Sequence, residues 1–153
     1  MKNFKDDKRE QKRIEKLIQK ATKNMHVAVG IIQDEPHDKK FTMVDLAMVH
    51  EYGSKDGRIP DRSFIRSTCD AKREEHINWL KDLEARVFKD QLTVKQALSI
   101  MGEVVSKDMV QTINNFIPPP LKPATIKRKK SSKPLIDTGR LKGSITHEVR
   151  GLL

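Results

Sequence analysis

The sequence predicts an α+β fold, in which a small, mostly antiparallel sheet packs with two long helices and a charged helix precedes them. Two kinds of pattern predict it. Apolar residues recur at helical spacing as Ile77, Leu80, Leu83 and Val87, and again as Val94, Leu98, Met101, Val105, Met109 and Ile113. In 25–32 and 144–150, apolar and polar residues alternate instead, and β-branched side chains are frequent.

Taken in order, residues 1–23 form a basic helical arm in which Ile14, Leu17, Ile18 and Ala21 make one narrow apolar stripe, enough to dock but too thin for central core. A single domain is expected over 24–153. Met25, Val27, Val29 and Ile31 share one face of the first strand, and "QDEPHDKK" is a turn or hairpin loop. "TMVDLAMVHEY" reads as a short helix with Thr42 and Asp45 as a capping-box variant and Gly53 at its C-terminal end. Gly57 turns the next loop, and Pro60 holds Ile59 extended. One helix is expected over 67–90, capped by Ser67 with Asp70, with Ile77, Leu80, Leu83 and Val87 as its apolar stripe and with Leu80, like Leu98 of the next helix, in the core. "KDQLT" connects it to a second helix over 93–115 with Thr93 as cap, and the two should lie antiparallel.

Beyond them, "FIPPPLKP" forbids regular structure because each proline fixes φ and lacks a backbone donor. "ATIKRKKSSK" is polar and basic, so residues 122–135, like 1–23, are expected to be ordered by partners alone. Thr138 or Asp137 caps a short helical turn. Ile145, His147 and Val149 then alternate with Thr146, Glu148 and Arg150 in a closing strand.

The 153-residue chain is 36% hydrophobic and 5% aromatic, a modest core that suits burial of further surface against other subunits. No stretch approaches the roughly 18 apolar residues that mark a membrane span, and the N-terminus lacks an export signal's apolar run. The single Cys69 excludes an internal disulfide and thiolate metal sites that need two cysteines, and it fits a reducing cytoplasm. Charge is uneven: residues 1–23 hold nine Lys/Arg against four Asp/Glu, and 122–142 hold eight against one. Basic ends on a near-neutral middle suggest polyanions or acidic protein surfaces as partners.

Signals for chemistry are weak. His50 and Glu51 resemble part of a zinc-protease helix, but that motif needs a second histidine where Ser54 stands, and His26, His37, His76 and His147 are scattered. "IDTG" at 136–139 matches the aspartic-protease tripeptide. Arg140 follows it, however, and two long helices dominate the chain, so Asp137 and Thr138 read as helix caps. No phosphate loop or nucleophile elbow occurs. Lys127, Arg128, Lys129 and Lys130 can meet phosphates, but no aromatics are interleaved for base stacking, and a solvated basic loop accounts for them equally. No catalytic residue, cofactor or metal is expected.

Three stretches, in order, resemble the tailed-bacteriophage family of neck and tail-completion proteins, also described as head-tail joining or virion morphogenesis proteins. They are "LAMVHEYGS", "IPDRSFIR" and "PATIKRKKSSKPLIDTGRLKGSITHEV", and with the helices between them the likeness spans 25–150. Ser63 stands where the family usually has proline. The resemblance implies a non-enzymatic virion protein at the neck or tail terminus, present in the host cytoplasm during assembly. It also implies a ring, commonly a hexamer, contacting neighbouring connector and tail-tube proteins and passing DNA, without a membrane. On this view His50, Glu51, Tyr52, Gly53, Arg58, Ile59, Pro60, Arg62, Phe64 and Arg66 form a docking loop, and Asp137, Thr138, Gly139 and Leu141 belong to the C-terminal motif. The competing expectation is a basic nucleic-acid-binding protein acting through its charged ends. A hydrolase using Asp137 ranks behind both.

Overall fold

The structure is a computed structural model that describes residues 9–16, 25–37, 41–115, 117–129, 132–136 and 138–151, with Lys129 described by its backbone alone. Leu17, Ile18, Ala21, Lys130 and Asp137 therefore lie outside the described residues, as do the expectations placed on them. In chain order, residues 9–16 are helical (α1), and β1 (Met25–Ile31), α2 (Met43–Tyr52), α3 (Arg66–Ala71) and α4 (Arg73–Phe88) follow. Then come α5 (Val94–Asn114), α6 (Pro123–Lys129), α7 (Arg140–Gly143) and β2 (Ile145–Gly151). The fold is α+β, a two-stranded antiparallel sheet packed with a long helix and surrounded by shorter ones.

The sheet joins distant parts of the chain. β1 and β2 pair Met25 with Gly151 and Ile31 with Ile145, which sets Val27 opposite Val149 and Val29 opposite His147. The alternation read from the sequence thus puts both apolar sets on one face, and α5 lies on that face. Gly102 explains how closely α5 lies. A Cβ built on it would come 2.6 Å from the His147 ring and 2.7 Å from a Val27 methyl group, so only a bare backbone fits. His147 is held on the helix side by Ser99, whose Oγ lies 3.3 Å from its Nε2.

Two apolar clusters flank this contact. The larger gathers Met43, Ala47, Phe64, Met109, Ile113, Leu135, Leu141 and Ile145; the smaller holds Leu83, Ala97 and Met101, and Val105 borders both. The long helix supplies residues to each, Met101 to the smaller and Met109 and Ile113 to the larger, while Val94 and Leu98 of its stripe are half-buried outside both. Its start is fixed as read: the Thr93 hydroxyl accepts from the Gln96 N–H while the Gln96 side chain accepts from the Thr93 N–H. Thr42 and Asp45 make the same reciprocal cap on α2, and Gly53 ends that helix at φ 76°.

Three expectations change. The helix expected over 67–90 is divided at Lys72 into α3 and α4. Within α3 the Thr68 hydroxyl donates back to the Phe64 carbonyl and reaches Thr112, a pattern that bends helices. Secondly, Leu80 and Leu98 belong to neither core cluster, Leu98 being half-buried and Leu80 exposed with its stripe neighbour Ile77. Leu80 and Ile77 are 45% and 43% exposed, because α4 packs mainly on α5, which covers the side bearing Leu83, while Arg13 of α1 reaches only its C-terminal end, at the Phe88 carbonyl. Thirdly, 122–135 is not without structure of its own. Pro123 starts α6, since the first helical position needs no N–H and proline's φ suits it, while Pro134 and Leu135 are buried.

The Gly102 contact is testable. Gly102→Ala gains helix propensity of about 1 kcal/mol but forces α5 off the sheet, and overpacking of this kind costs about 1–3 kcal/mol. The expected net result is a lower melting temperature by thermal denaturation. An unchanged or raised value would show that the helix and sheet do not meet there.

Candidate functional site

The stretch from His50 to Arg66 is organised by one carboxylate. Glu51 sits in the last turn of α2, is 3% exposed, and points at the first turn of α3. Its Oε2 accepts the backbone N–H groups of Phe64 and Ile65, each at 3.0 Å. Its Oε1 accepts the Arg66 N–H and Arg66 Nε at 3.0 Å and the Ser63 hydroxyl at 2.6 Å. A helix start leaves N–H groups unpaired, and normally the residue just before it supplies the acceptor. Here Ile65 occupies the cap position without a side-chain bond, the Ser63 hydroxyl accepts only the Ser67 N–H at 3.2 Å, and Glu51 supplies the remaining acceptors from another helix. Ser67 and Asp70, expected as the cap, are used otherwise. The Ser67 hydroxyl donates to the Ser63 carbonyl, and Asp70 pairs with Arg73 at 3.5 Å.

Further bonds fix the loop between. Arg62 is 6% exposed, and its Nε and Nη2 both donate to the Pro119 carbonyl at 3.0 and 2.8 Å, tying the loop to the proline run. The Arg62 N–H donates to the His50 carbonyl at 2.7 Å. Arg66 donates through Nη2 to the Glu51 carbonyl at 2.7 Å and lies 4.7 Å over the Tyr52 ring centre, a cation–π contact. At the tip, Ser54 N–H donates to the Ile59 carbonyl and the Ser54 hydroxyl accepts from Ile59 N–H, both at 2.9 Å. Asp56 accepts the Ser54 hydroxyl at 2.6 Å and the Arg58 N–H at 3.1 Å. At Gly53 a Cβ would stand 3.0 Å from the Ile59 carbonyl oxygen, so the closed loop needs glycine there for space as well as for φ.

The docking-loop set therefore divides. Glu51, Arg62 and Phe64 are buried at 3%, 6% and 0% exposure and cannot present themselves to a partner. They are the supports, because a buried charge persists only with a full set of partners. Tyr52, Arg58, Ile59 and Pro60 face solvent, with Tyr52 59% and Ile59 42% exposed, and Arg66 stands beside Tyr52. The Glu51 carboxylate has both oxygens filled by donors, so nothing of it is left to act as a base on a neighbouring molecule.

In the C-terminal motif the Thr138 hydroxyl accepts the Arg140 N–H at 3.4 Å, Gly139 turns at φ 79°, and Leu141 is buried in the larger cluster. Arg140 Nη2 and Nη1 donate to the carbonyls of Pro36 and His37 at 2.6 and 2.9 Å. Lys127 and Arg128 are exposed on α6. His76 bonds Asp108 at 2.8 Å between α4 and α5, and among the described residues no group of three His, Cys, Asp or Glu is placed to hold a metal. No helix among them is long and apolar enough to cross a membrane. No known protein family, curated protein or solved structure matches this chain.

Sequence reading missed Glu51 as a helix cap and Arg62 as a tether, since both act across 12 or more residues and leave no local spacing. The one available signal was the absence of a good cap immediately before Arg66.

Glu51 also sets an acid limit. Burial raises its pKa, but the bonds from Ser63, Ile65 and Arg66 outweigh that and hold it below its ordinary 4.5. A lowered folded value means stability that is complete above 4.5 and is lost as pH falls through the folded value. Glu51→Ala should cost about 3 kcal/mol or more at neutral pH, because it strands the α3 N–H groups. Glu51→Gln should flatten the pH dependence of unfolding below that point. Acid denaturation curves that run parallel for Glu51→Gln and the native chain would contradict this role.

Proposed function

We propose that this protein is a structural component of the neck or tail terminus of a tailed bacteriophage, forming a ring, most simply a hexamer, that joins tail to head and completes the tail. Its role is non-enzymatic and needs no cofactor. The observation that carries the reading is how the three resembling stretches meet. Ala47 from the first, Phe64 from the second, and Leu135 and Leu141 from the third belong to one core cluster, and Glu51 of the first binds the second directly. Residues held by that cluster hold up an exposed loop rather than line a reaction pocket. Rigid loops with an aromatic and arginines at the surface are the usual anchors of protein contacts. Ring neighbours, a connector above and a tail-tube protein below are the partners this loop suits.

The test uses residues that face outward. Tyr52→Ala with Arg58→Glu should keep the native circular dichroism spectrum while ring formation by negative-stain electron microscopy and incorporation into tails fall sharply. Arg62→Glu should instead damage folding, since its partner is an internal carbonyl. Normal assembly by the folded double variant would overturn the docking role.

The alternative, nucleic-acid binding, has α6 in its favour, where Lys127 and Arg128 are exposed and Lys122 is exposed just before its start. Contacts to about seven phosphates would make log affinity for duplex DNA fall against log salt with a slope near −6. A flat response would remove it.

A further inference from the structure

One side of α4 carries Arg73, Ile77, Leu80 and Glu84, separated by four, three and four residues, the spacing that keeps side chains on a single helix face. All four are exposed: Ile77 is 43% and Leu80 45% accessible, and the Arg73 side chain 71%. The order has a particular symmetry. Its spacing reads the same from either end, about a midpoint between Asn78 and Trp79, while its charge reverses from positive to negative. A second α4 laid antiparallel by a half-turn about that midpoint therefore brings each Arg73 to the other copy's Glu84, and each Ile77 to the other's Leu80.

We propose that this face of α4 is a two-fold contact between two copies of this chain. An interface on a two-fold axis must be complementary to itself, and an arbitrary helix face is not: it sets like charges together or staggers its apolar residues. Here both requirements are met by four residues. The spacing is that of an antiparallel coiled-coil seam, so Ile77 and Leu80 interdigitate between the two ion pairs. Within its own chain Arg73 has an exposed partner at 3.5 Å, Asp70, and exposed pairs of this kind hold weakly. The Glu84 carboxylate makes no hydrogen bond or ion pair among the described residues.

Apolar surface continues beside the seam. Leu80, Val87, Phe88, Val94 and Leu98 line a groove of about 230 Å³ between α4 and α5, and Phe88 is 52% exposed. Stable contacts bury at least about 1,000 Å² in total, and the groove extends the apolar area beyond the helix pair itself. The contact is closed on itself: it pairs two copies, or two rings face to face, and does not build a ring. It therefore stands independently of the neck reading.

Sedimentation equilibrium of the full chain tests it. The native protein should show a reversible monomer–dimer step. Arg73→Glu sets Glu against Glu twice, and Glu84→Arg sets Arg against Arg twice; each should weaken that step by at least about tenfold, because like charges facing one another across an interface are costly. The double variant, Arg73→Glu with Glu84→Arg, restores both pairs in reverse and should recover association. Leu80→Glu should abolish it, with circular dichroism showing each variant folded. A native chain that remains monomeric, association indifferent to the single reversals, or failure of the double variant to recover would each overturn the proposal. Association that responds to the single reversals but is not restored by the double one would point instead to a partner surface unlike α4.

Discussion

A single carboxylate holds the middle of this fold together. Glu51, in the last turn of α2, starts α3 and fixes the end of the loop that leads into it, all through bonds to one pair of oxygens. Were the acceptor local, α3 would be free to start in many directions relative to α2. Because it comes from the preceding helix, the direction of α3 is set by α2, and Phe64 is delivered to the core at 0% exposure. Hydrogen bonds to a buried charge are stronger than neutral ones, and the same burial makes their loss costly. The arrangement thus trades tolerance for definition.

That definition reaches further through Arg62 and Arg140. Each guanidinium binds main-chain carbonyls far along the chain, Pro119 in one case and Pro36 and His37 in the other. Carbonyls in irregular segments have no ladder partner, and a planar fork of donors satisfies them without a strand. With two strands among the described residues, arginines carry out cross-bracing that a larger sheet would provide. At Arg62 the positive charge is buried and does not add to the exposed basic surface, whereas Arg140 braces from the outside.

What could be read from the sequence was local or periodic. The Thr42 and Thr93 caps, the Gly53 turn, the α5 stripe and the alternation of β1 and β2 follow rules that span a few residues, and the structure has them. Burial along α4 was not legible, because a helical stripe shows that one face is apolar and not how many neighbours cover it. The Ile77 and Leu80 positions show the difference. The start of α6 was hidden by its prolines, which break helices internally and begin them equally well. Within the candidate site, the outward positions Tyr52 and Ile59 were legible by residue type. The inward turn of Glu51 and Arg62 was not, since charged residues are seldom buried and their partners lie elsewhere in the sequence.

The sheet has a consequence for how the chain reaches its native state. β1 is made early, yet its only strand partner among the described residues is β2, and Met25 must wait for Gly151. Contacts that close so long a loop form late, after helices and hairpins that need only their neighbours. Until then "MHVAVGI", a stretch with no Lys, Glu, Asp or Pro, is an unpaired strand of the kind that seeks other chains. The α4–α5 hairpin can assemble in the meantime and offer the face of α5 around Gly102 as a place for β1 to rest. The dense charge of residues 1–23, immediately ahead of the strand, then acts as a solubilising guard during that interval.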